Sequence, residues 1–416
     1  MSRFMPRFTT RATPTILVAS LLVALLPAPP AAQRAGETGP FSRATPASVG
    51  MSQDRLRAAA DAVRDWIARD RIVGAVMLVI RHDRVVLFEA AGWADRENKR
   101  PMTVDAICSM RSMTKPLVGT AALMLMEEGR IGMLDRVSQH LAAFDTPASR
   151  EITITQLLTH TSGITGDIYD PFAGTKYTTL TEAVEDVARK GPAHKPGTRY
   201  VYSDPGTSTL GAVISKVAGV PAEDFVQARI LTPLKMDDSF LDFRPGNPRA
   251  PRVPATYRGS TGKWERYWDT SRPEVVPFFR ASGGLYASAI DYAKFMAMTL
   301  NGGEFRGRRL LALESVRLAT SPQSRYVYPP QEAVKRQSFY GLHWTVQGGE
   351  EGRVKPGREK GSAASPLTRA FWHGGSDGTL AWADPATGVI GVYLTQSRGS
   401  GTGSEFRRLV QAAIDR

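Results

Sequence analysis

Hydrophobic positions along this chain change their spacing from one stretch to the next, and each change marks a different element. Leu56, Ala59, Ala60, Val63 and Ile67 recur at helical spacing behind Ser52, an N-cap residue type, so an amphipathic helix opens the folded part. Residues 73–80 and 85–90 are β-rich runs separated by Arg81-His82-Asp83-Arg84, which predicts a hairpin. From about 115 to 235 the pattern is mostly helical. Its clearest pieces are 117–126 before Gly129, 181–188, 208–217 before Gly219, and 225–231. The stretch from about 240 to 283 is rich in Pro, Gly and Arg, with Trp264, Tyr267 and Trp268 interspersed, and predicts a loop or an irregular hairpin. A helix is expected over 289–300. The β signal then returns over 339–346, 379–383 and 389–395, and a helix over 406–414 closes the chain.

Strands therefore gather at both ends and helices between them. The economical architecture is an α/β (α+β) fold: an antiparallel sheet built from both chain ends, flanked by terminal helices, with an all-helical lobe inserted in the middle. This predicts a single domain over 45–416, with one lobe made of about 45–112 and 283–416 and the helical lobe of about 113–282. No internal repeat interrupts it.

Composition changes this picture little, but the N-terminus changes it more. With 42% hydrophobic and 22% charged residues the 416-residue chain is an ordinary globular one. Residues 1–32 hold Arg3, Arg7 and Arg11, no acid, the apolar run 16–26, and then Pro27-Ala28-Pro29-Pro30-Ala31-Ala32. That is the plan of a secretory signal, with cleavage expected near Ala32-Gln33 and a linker over 33–44. The expected location is periplasmic or secreted. The apolar run is too short to span a bilayer, so no stable membrane insertion is expected after cleavage. Loss of the three arginines leaves 50 basic against 40 acidic residues, and the net charge of +13 becomes +10. The surplus is diffuse, without a basic run, zinc-knuckle spacing or an aromatic-basic pattern, and nucleic acid is not an expected partner. Cys108 is the lone cysteine, which excludes an intramolecular disulfide or a cysteine-based metal cluster. Its place at the end of an apolar run predicts a buried, inert thiol.

Two serine signatures compete for the role of nucleophile. Gly374-Gly375-Ser376-Asp377-Gly378 matches the G-x-S-x-G nucleophile elbow, which needs a helix after the serine and a histidine further along. No histidine follows His373, and strand-like sequence follows Ser376, so the elbow lacks its base and its geometry. The other signature, S-x-x-K, occurs at Ser112-Met113-Thr114-Lys115 and at Ser260-Thr261-Gly262-Lys263. The second flanks a Thr-Gly turn. The first stands where strand gives way to the helix over 117–126, and residues three apart on a helix share a face, which brings the Lys115 amine beside the Ser112 hydroxyl. At that helix start the Ser112 N–H also faces a developing oxyanion. Serine needs a group to take its proton. Lysine serves if its pKa is lowered; otherwise its charge lowers the pKa of a phenol that acts as base. Tyr202, in Tyr202-Ser203-Asp204 before the helix over 208–217, is the phenol placed to do so.

These residues carry a family resemblance. Ser112-Met113-Thr114-Lys115-Pro116, Tyr202-Ser203-Asp204 and His373-Gly374-Gly375-Ser376 resemble the three successive motifs of the penicillin-recognising serine hydrolases, most closely the class C β-lactamase-like branch that includes family VIII carboxylesterases. Spacer segments agree, among them Leu157-Leu158-Thr159-His160-Thr161-Ser162-Gly163 and Gly283-Gly284-Leu285-Tyr286. The resemblance runs from about residue 45 to 410 and implies the β-lactamase/transpeptidase-like fold, with a cleft between the two lobes. It implies Ser112 as acylated nucleophile, Lys115 and Tyr202 as the proton-transfer pair, and the Ser112 and Ser376 N–H groups as the oxyanion hole. Asp204, His373, Gly375 and Ser376 would bind substrate, and no metal or cofactor is implied.

Two departures bear on the substrate. The family's β-lactamases and D-alanyl peptidases usually carry Lys where this chain has His373, and a neutral histidine favours an uncharged ester over an anionic β-lactam or peptide. Asp204 replaces the usual Asn, and a carboxylate there would hold Lys115 protonated. The expected activity is hydrolysis of small carboxylic esters. A β-lactamase or D-alanyl peptidase activity and a non-catalytic scaffold are the alternatives. His160 is expected to be a structural loop histidine. Trp264, Tyr267 and Trp268 either line an acyl pocket or pack beneath a loop, and either Arg369 or Arg398 supplies positive charge near the third motif.

Overall fold

Ser52 accepts a hydrogen bond from the Arg55 N–H at 3.3 Å and starts helix α1, Gln53–Ala68, at the expected cap. The structure, a computed structural model, describes residues 33–34, 38–170, 174–272, 276–348 and 368–415. The expected secretory leader over 1–32 lies outside them. The next two apolar runs form strands β1, Gly74–Arg81, and β2, Arg84–Asp95, paired antiparallel. His82 and Asp83 turn the hairpin in the left-handed region, with φ of 50° and 59°. Helices α2, Lys115–Glu127, and α3, Asp204–Ala218, belong to the middle of the chain, and α4, Ala289–Leu300, follows them. The chain then gives β3, Ser338–Tyr340; β4, Thr345–Gly348; β5, Thr368–Gly374; β6, Leu380–Asp384; β7, Val389–Thr395; and helix α5, Thr402–Ala412.

Along the main sheet these seven strands lie in the order β2-β1-β7-β6-β5-β4-β3, each antiparallel to the next, and the short segment Ser42–Arg43 adds a parallel pairing to β2. The two chain ends meet at β1 and β7, where Arg81 stands opposite Val389 and Ala75 opposite Thr395. This is the mixed α/β architecture with a central antiparallel sheet that the sequence predicts. Both faces of β1 are covered. Val76, Leu78 and Ile80 enter the large core shared with α2 and α4, while Met77 and Val79 pack with α1, Trp382, Tyr393 and Phe406. Each aliphatic side chain so buried contributes roughly 1.5–3 kcal/mol. Gly391 is fixed by contact: a Cβ there would sit 2.1 Å from the Trp382 ring across the β6–β7 pair.

The structure departs from the expected elements in three places. Residues 339–346 form two strands rather than one, because Gly341 closes against the Ala319 carbonyl and His343 turns at φ 60°. Strand β5 was not anticipated, since Arg369 and His373 interrupt its apolar pattern. The helix expected over 225–231 begins earlier, at Ala222–Val226, and ends in a π turn, Gln227–Leu231. Within 240–283 the irregular hairpin that the sequence offers as one alternative pairs Thr256–Ser260 with Lys263–Trp268, with a shift of register between Thr256 and Tyr257. It returns to the sheet through the Tyr257 N–H, which donates to Gln396 O at 2.8 Å.

Candidate active site

The segment around Ser112 is held from three sides. Short strand Leu285–Ala287 pairs with Cys108–Ser109, the Met110 N–H donates to Leu285 O at 2.8 Å, and the Leu285 N–H donates to Thr114 Oγ1 at 2.9 Å. Below, the Tyr292 hydroxyl donates to Met113 O at 2.9 Å. These bonds fix a 3₁₀ turn, Arg111–Thr114, that leads into α2. Ser112 therefore lies on this turn rather than on the first turn of the α-helix. Its N–H stands ahead of the first backbone bond of the turn, Met113 N–H to Met110 O at 3.1 Å. Arg111, directly before it, sits at φ 48°, a backbone region that disfavours residues with a Cβ.

The i,i+3 relation survives the change of helix type. Lys115 Nζ, fully buried, is 3.3 Å from Ser112 Oγ, 2.5 Å from Asp204 Oδ1 and 3.0 Å from the Ser282 carbonyl. It also stands 4.6 Å from the centre of the Tyr202 ring. Burial opposes the charge on Lys115, but the Tyr202 oxygen and the Asp204 carboxylate outweigh it and hold the ammonium above its ordinary pKa.

Tyr202 is set by the residues on either side of it. The Val201 N–H donates to His160 O at 2.9 Å, and the Ser203 N–H donates to His160 Nδ1 at 3.2 Å. Ser203 then caps α3 by accepting from the Gly206 N–H, so Asp204 is the first residue of that helix rather than part of the loop. The His160 ring centre lies 4.4 Å from that of Tyr202 with the planes tilted by 41°, and burial keeps the imidazole neutral. Its imidazole accepts from the Ser203 N–H and so helps set the segment that carries Tyr202.

The third wall comes from the end of β5. The His373 imidazole accepts from the Tyr340 hydroxyl at 2.8 Å through Nε2 and donates to Gly374 O at 2.9 Å through Nδ1. Burial, with the Lys115 charge nearby, pushes its pKa down to about 3, so it carries no charge at neutral pH. Gly375 packs so closely on the nucleophile turn that a Cβ would meet Met110 O at 2.4 Å. Ser376 follows in the turn to β6, and no helix comes after it. Arg398 Nη1 donates to Ser376 Oγ at 2.8 Å.

These walls enclose a cleft of about 630 Å³ lined by Ser112, Tyr202, Asp204, Ser376 and Arg398 among others. Of the two arginines considered, Arg398 lines it and Arg369 does not. Trp264, Tyr267 and Trp268 are absent from its wall. Trp264 packs with Val73 and Tyr257, and Trp268 packs with Phe243 and Tyr286, beneath the hairpin. Ser260 and Lys263, the second S-x-x-K, are exposed at the hairpin turn. The sequence reading missed Tyr169, whose hydroxyl bonds Ser282 Oγ at 2.6 Å, and Asp377, a buried carboxylate beside Ser376. Neither falls on a periodic stripe. No group of His, Cys, Asp and Glu among the described residues has the arrangement of a metal site.

A family model described as Beta-lactamase matches residues 58–415. The chain is 25% identical over 390 residues to a putative D-alanyl-D-alanine carboxypeptidase of Escherichia coli, covering 85% of each chain. It is 33% identical over 210 residues to esterase EstB of Burkholderia gladioli, covering 46% of this chain and 53% of EstB. Among solved structures, EstCE1, described as a hydrolase with promiscuous acyltransferase activity, superposes with a TM-score of 0.70 at 21% identity, covering 87% of this chain and 99% of its own.

Proposed function

The chain belongs to the beta-lactamase family and is a serine hydrolase, and from this premise we propose that it cleaves carboxylic esters through a covalent acyl-enzyme on Ser112. The observation that carries the reading is the position of Lys115 Nζ, in contact with Ser112 Oγ and Asp204 and over the face of Tyr202. With its charge held by Asp204, Lys115 is the electrostatic partner and Tyr202 is the base.

Tyr202 takes the Ser112 proton as Oγ attacks the ester carbonyl. The resulting oxyanion is met by the Ser112 and Ser376 N–H groups. Tyr202 then returns the proton to the departing alcohol, leaving acyl-Ser112. In the second half Tyr202 deprotonates a water that attacks the acyl carbonyl, the bond from Ser112 Oγ to the acyl carbon breaks, Tyr202 returns the proton to Oγ, and the acid is released. An uncharged ester is favoured because His373, held neutral by burial, gives no cation at the head of the third motif. Asp204 and Ser376 line the cleft, whereas His373 and Gly375, expected from the sequence to bind substrate, stand behind its wall.

One observation favours a second reading, action on a β-lactam or D-alanyl peptide. Arg398 stands against Ser376 and supplies a cation at the third motif from another strand end. Fluorophosphonate labelling, with turnover of a short-chain nitrophenyl ester set against a chromogenic cephalosporin, separates the readings. Labelling and ester turnover that vanish in Ser112→Ala support the esterase. Preferential cephalosporin turnover supports the second reading, and a wild type that does not label points to a scaffold. The N-terminal region supports export to the periplasm or beyond, which N-terminal sequencing of the processed protein tests.

A further inference from the structure

Asp377 is the residue after Ser376, and its carboxylate is buried. Arg111 is the residue before Ser112. The Arg111 Nε donates to Asp377 Oδ2 at 2.5 Å, with side chains only 5% and 2% exposed. The other carboxylate oxygen accepts from the Tyr267 hydroxyl at 2.7 Å and from Arg398 Nη1 at 3.0 Å, and the same Nη1 bonds Ser376 Oγ. A buried ion pair is a poor stability device, because desolvation of both charges offsets their attraction. What it does supply is fixed geometry. Here it ties together the neighbours of Ser112 and Ser376, the two residues whose N–H groups the acyl-enzyme reading assigns to the oxyanion, and it anchors the side chain of Arg111, whose backbone sits at φ 48°.

We infer that Asp377 is a positioning residue, bridging Arg111 to the Ser376 turn so that the Ser112 and Ser376 N–H groups stay aimed at one point in the cleft. The inference rests on the acyl-enzyme reading above. It goes further in assigning the alignment of both donors to a charge outside the three motifs. Asparagine at this position keeps the shape but turns one acceptor into a donor facing the guanidinium of Arg111 or of Arg398, neither of which can accept, so one bridge is lost.

The test compares Asp377→Asn with wild type on a nitrophenyl butyrate, per titrated active site, alongside the affinity for butylboronic acid, which forms a tetrahedral adduct with the serine. The expected result is a kcat lower by about a hundredfold, KM within about twofold, and boronate affinity lowered by a factor similar to kcat. A kcat and boronate affinity within about twofold of wild type overturn the inference, as does a change in KM alone. If Asp377→Asn does not fold, Tyr267→Phe removes one donor and keeps every charge. A several-fold loss in both kcat and boronate affinity is then expected, and no loss in either overturns the proposal. A wild type that neither turns over ester nor binds boronate overturns the parent reading, and this one with it.

Discussion

Lys115 Nζ lies 2.5 Å from Asp204 Oδ1, closer than the 3.3 Å that separates it from Ser112 Oγ. The ammonium is thus committed first to the carboxylate, and it is the charge on Lys115, not its lone pair, that faces the serine. Asp204→Asn removes a negative partner and lowers the Lys115 pKa, since less remains to outweigh burial. If the reaction needs a protonated Lys115, the alkaline limb of the kcat/KM profile moves to lower pH in this variant. A pH-rate profile from 6 to 11 is the check, and an alkaline limb that stays in place contradicts the assignment.

Three histidines make the fold sensitive to acid. Burial holds His160, His343 and His373 below the ordinary histidine value, the last two down to about 3. The unfolded chain binds protons near pH 6.5 while the folded one refuses them, so stability is complete above about 6.5 and falls as pH drops from there toward 3. His343 and His373 each contribute a slope on the order of 1 kcal/mol per pH unit within that window, and His160 acts in the same direction. Urea unfolding at pH 7 and pH 5 is expected to show a marked loss at the lower value, and an unmoved midpoint contradicts it.

Cys108 is predicted to be silent in the native state. Burial, reinforced by the negative charge of Asp377, pushes its thiol pKa up to about 12. A disulfide reagent at pH 8 is expected to find no thiol before denaturant is added and one thereafter. Prompt reaction of the native protein would place the thiol in an open environment.

Gly375→Ala probes the closeness of the third motif to the nucleophile turn. The added Cβ would meet Thr379 Oγ1 at 2.3 Å and Met110 O at 2.4 Å, so the β5 end must withdraw. The expected stability cost is about 1–3 kcal/mol. A displacement near 1 Å lowers kcat by about a hundredfold. Ester kinetics beside thermal unfolding separate the two effects, and an active, stable Gly375→Ala variant contradicts the packing described.

Much of this was legible because it is local. Helix α1, the first hairpin and α4 announce themselves through period and cap, and the β1–β7 join follows from apolar runs at both chain ends. Ser112 and Lys115 are three residues apart, a separation that places them together on an α-helix and on a 3₁₀ turn alike. Other contacts have no periodic signal. Ser282 meets Lys115 through its carbonyl, which any residue type supplies. Arg111 and Asp377 come from distant parts of the chain and meet where the nucleophile turn packs on the turn between β5 and β6. Strand β5 escaped because its charged and imidazole side chains break the alternation, and the turn at His343 splits what reads as one apolar run into β3 and β4.

The central claim is that the acyl group is carried by Ser112. Rapid acid quench of the protein during turnover of a nitrophenyl ester, followed by mass analysis of its proteolytic peptides, measures this directly. The account predicts an acyl mass increment on the peptide containing Ser112 in the wild type, absent from Ser112→Ala. An increment on the peptide containing Ser376, or turnover undiminished in Ser112→Ala, would contradict it.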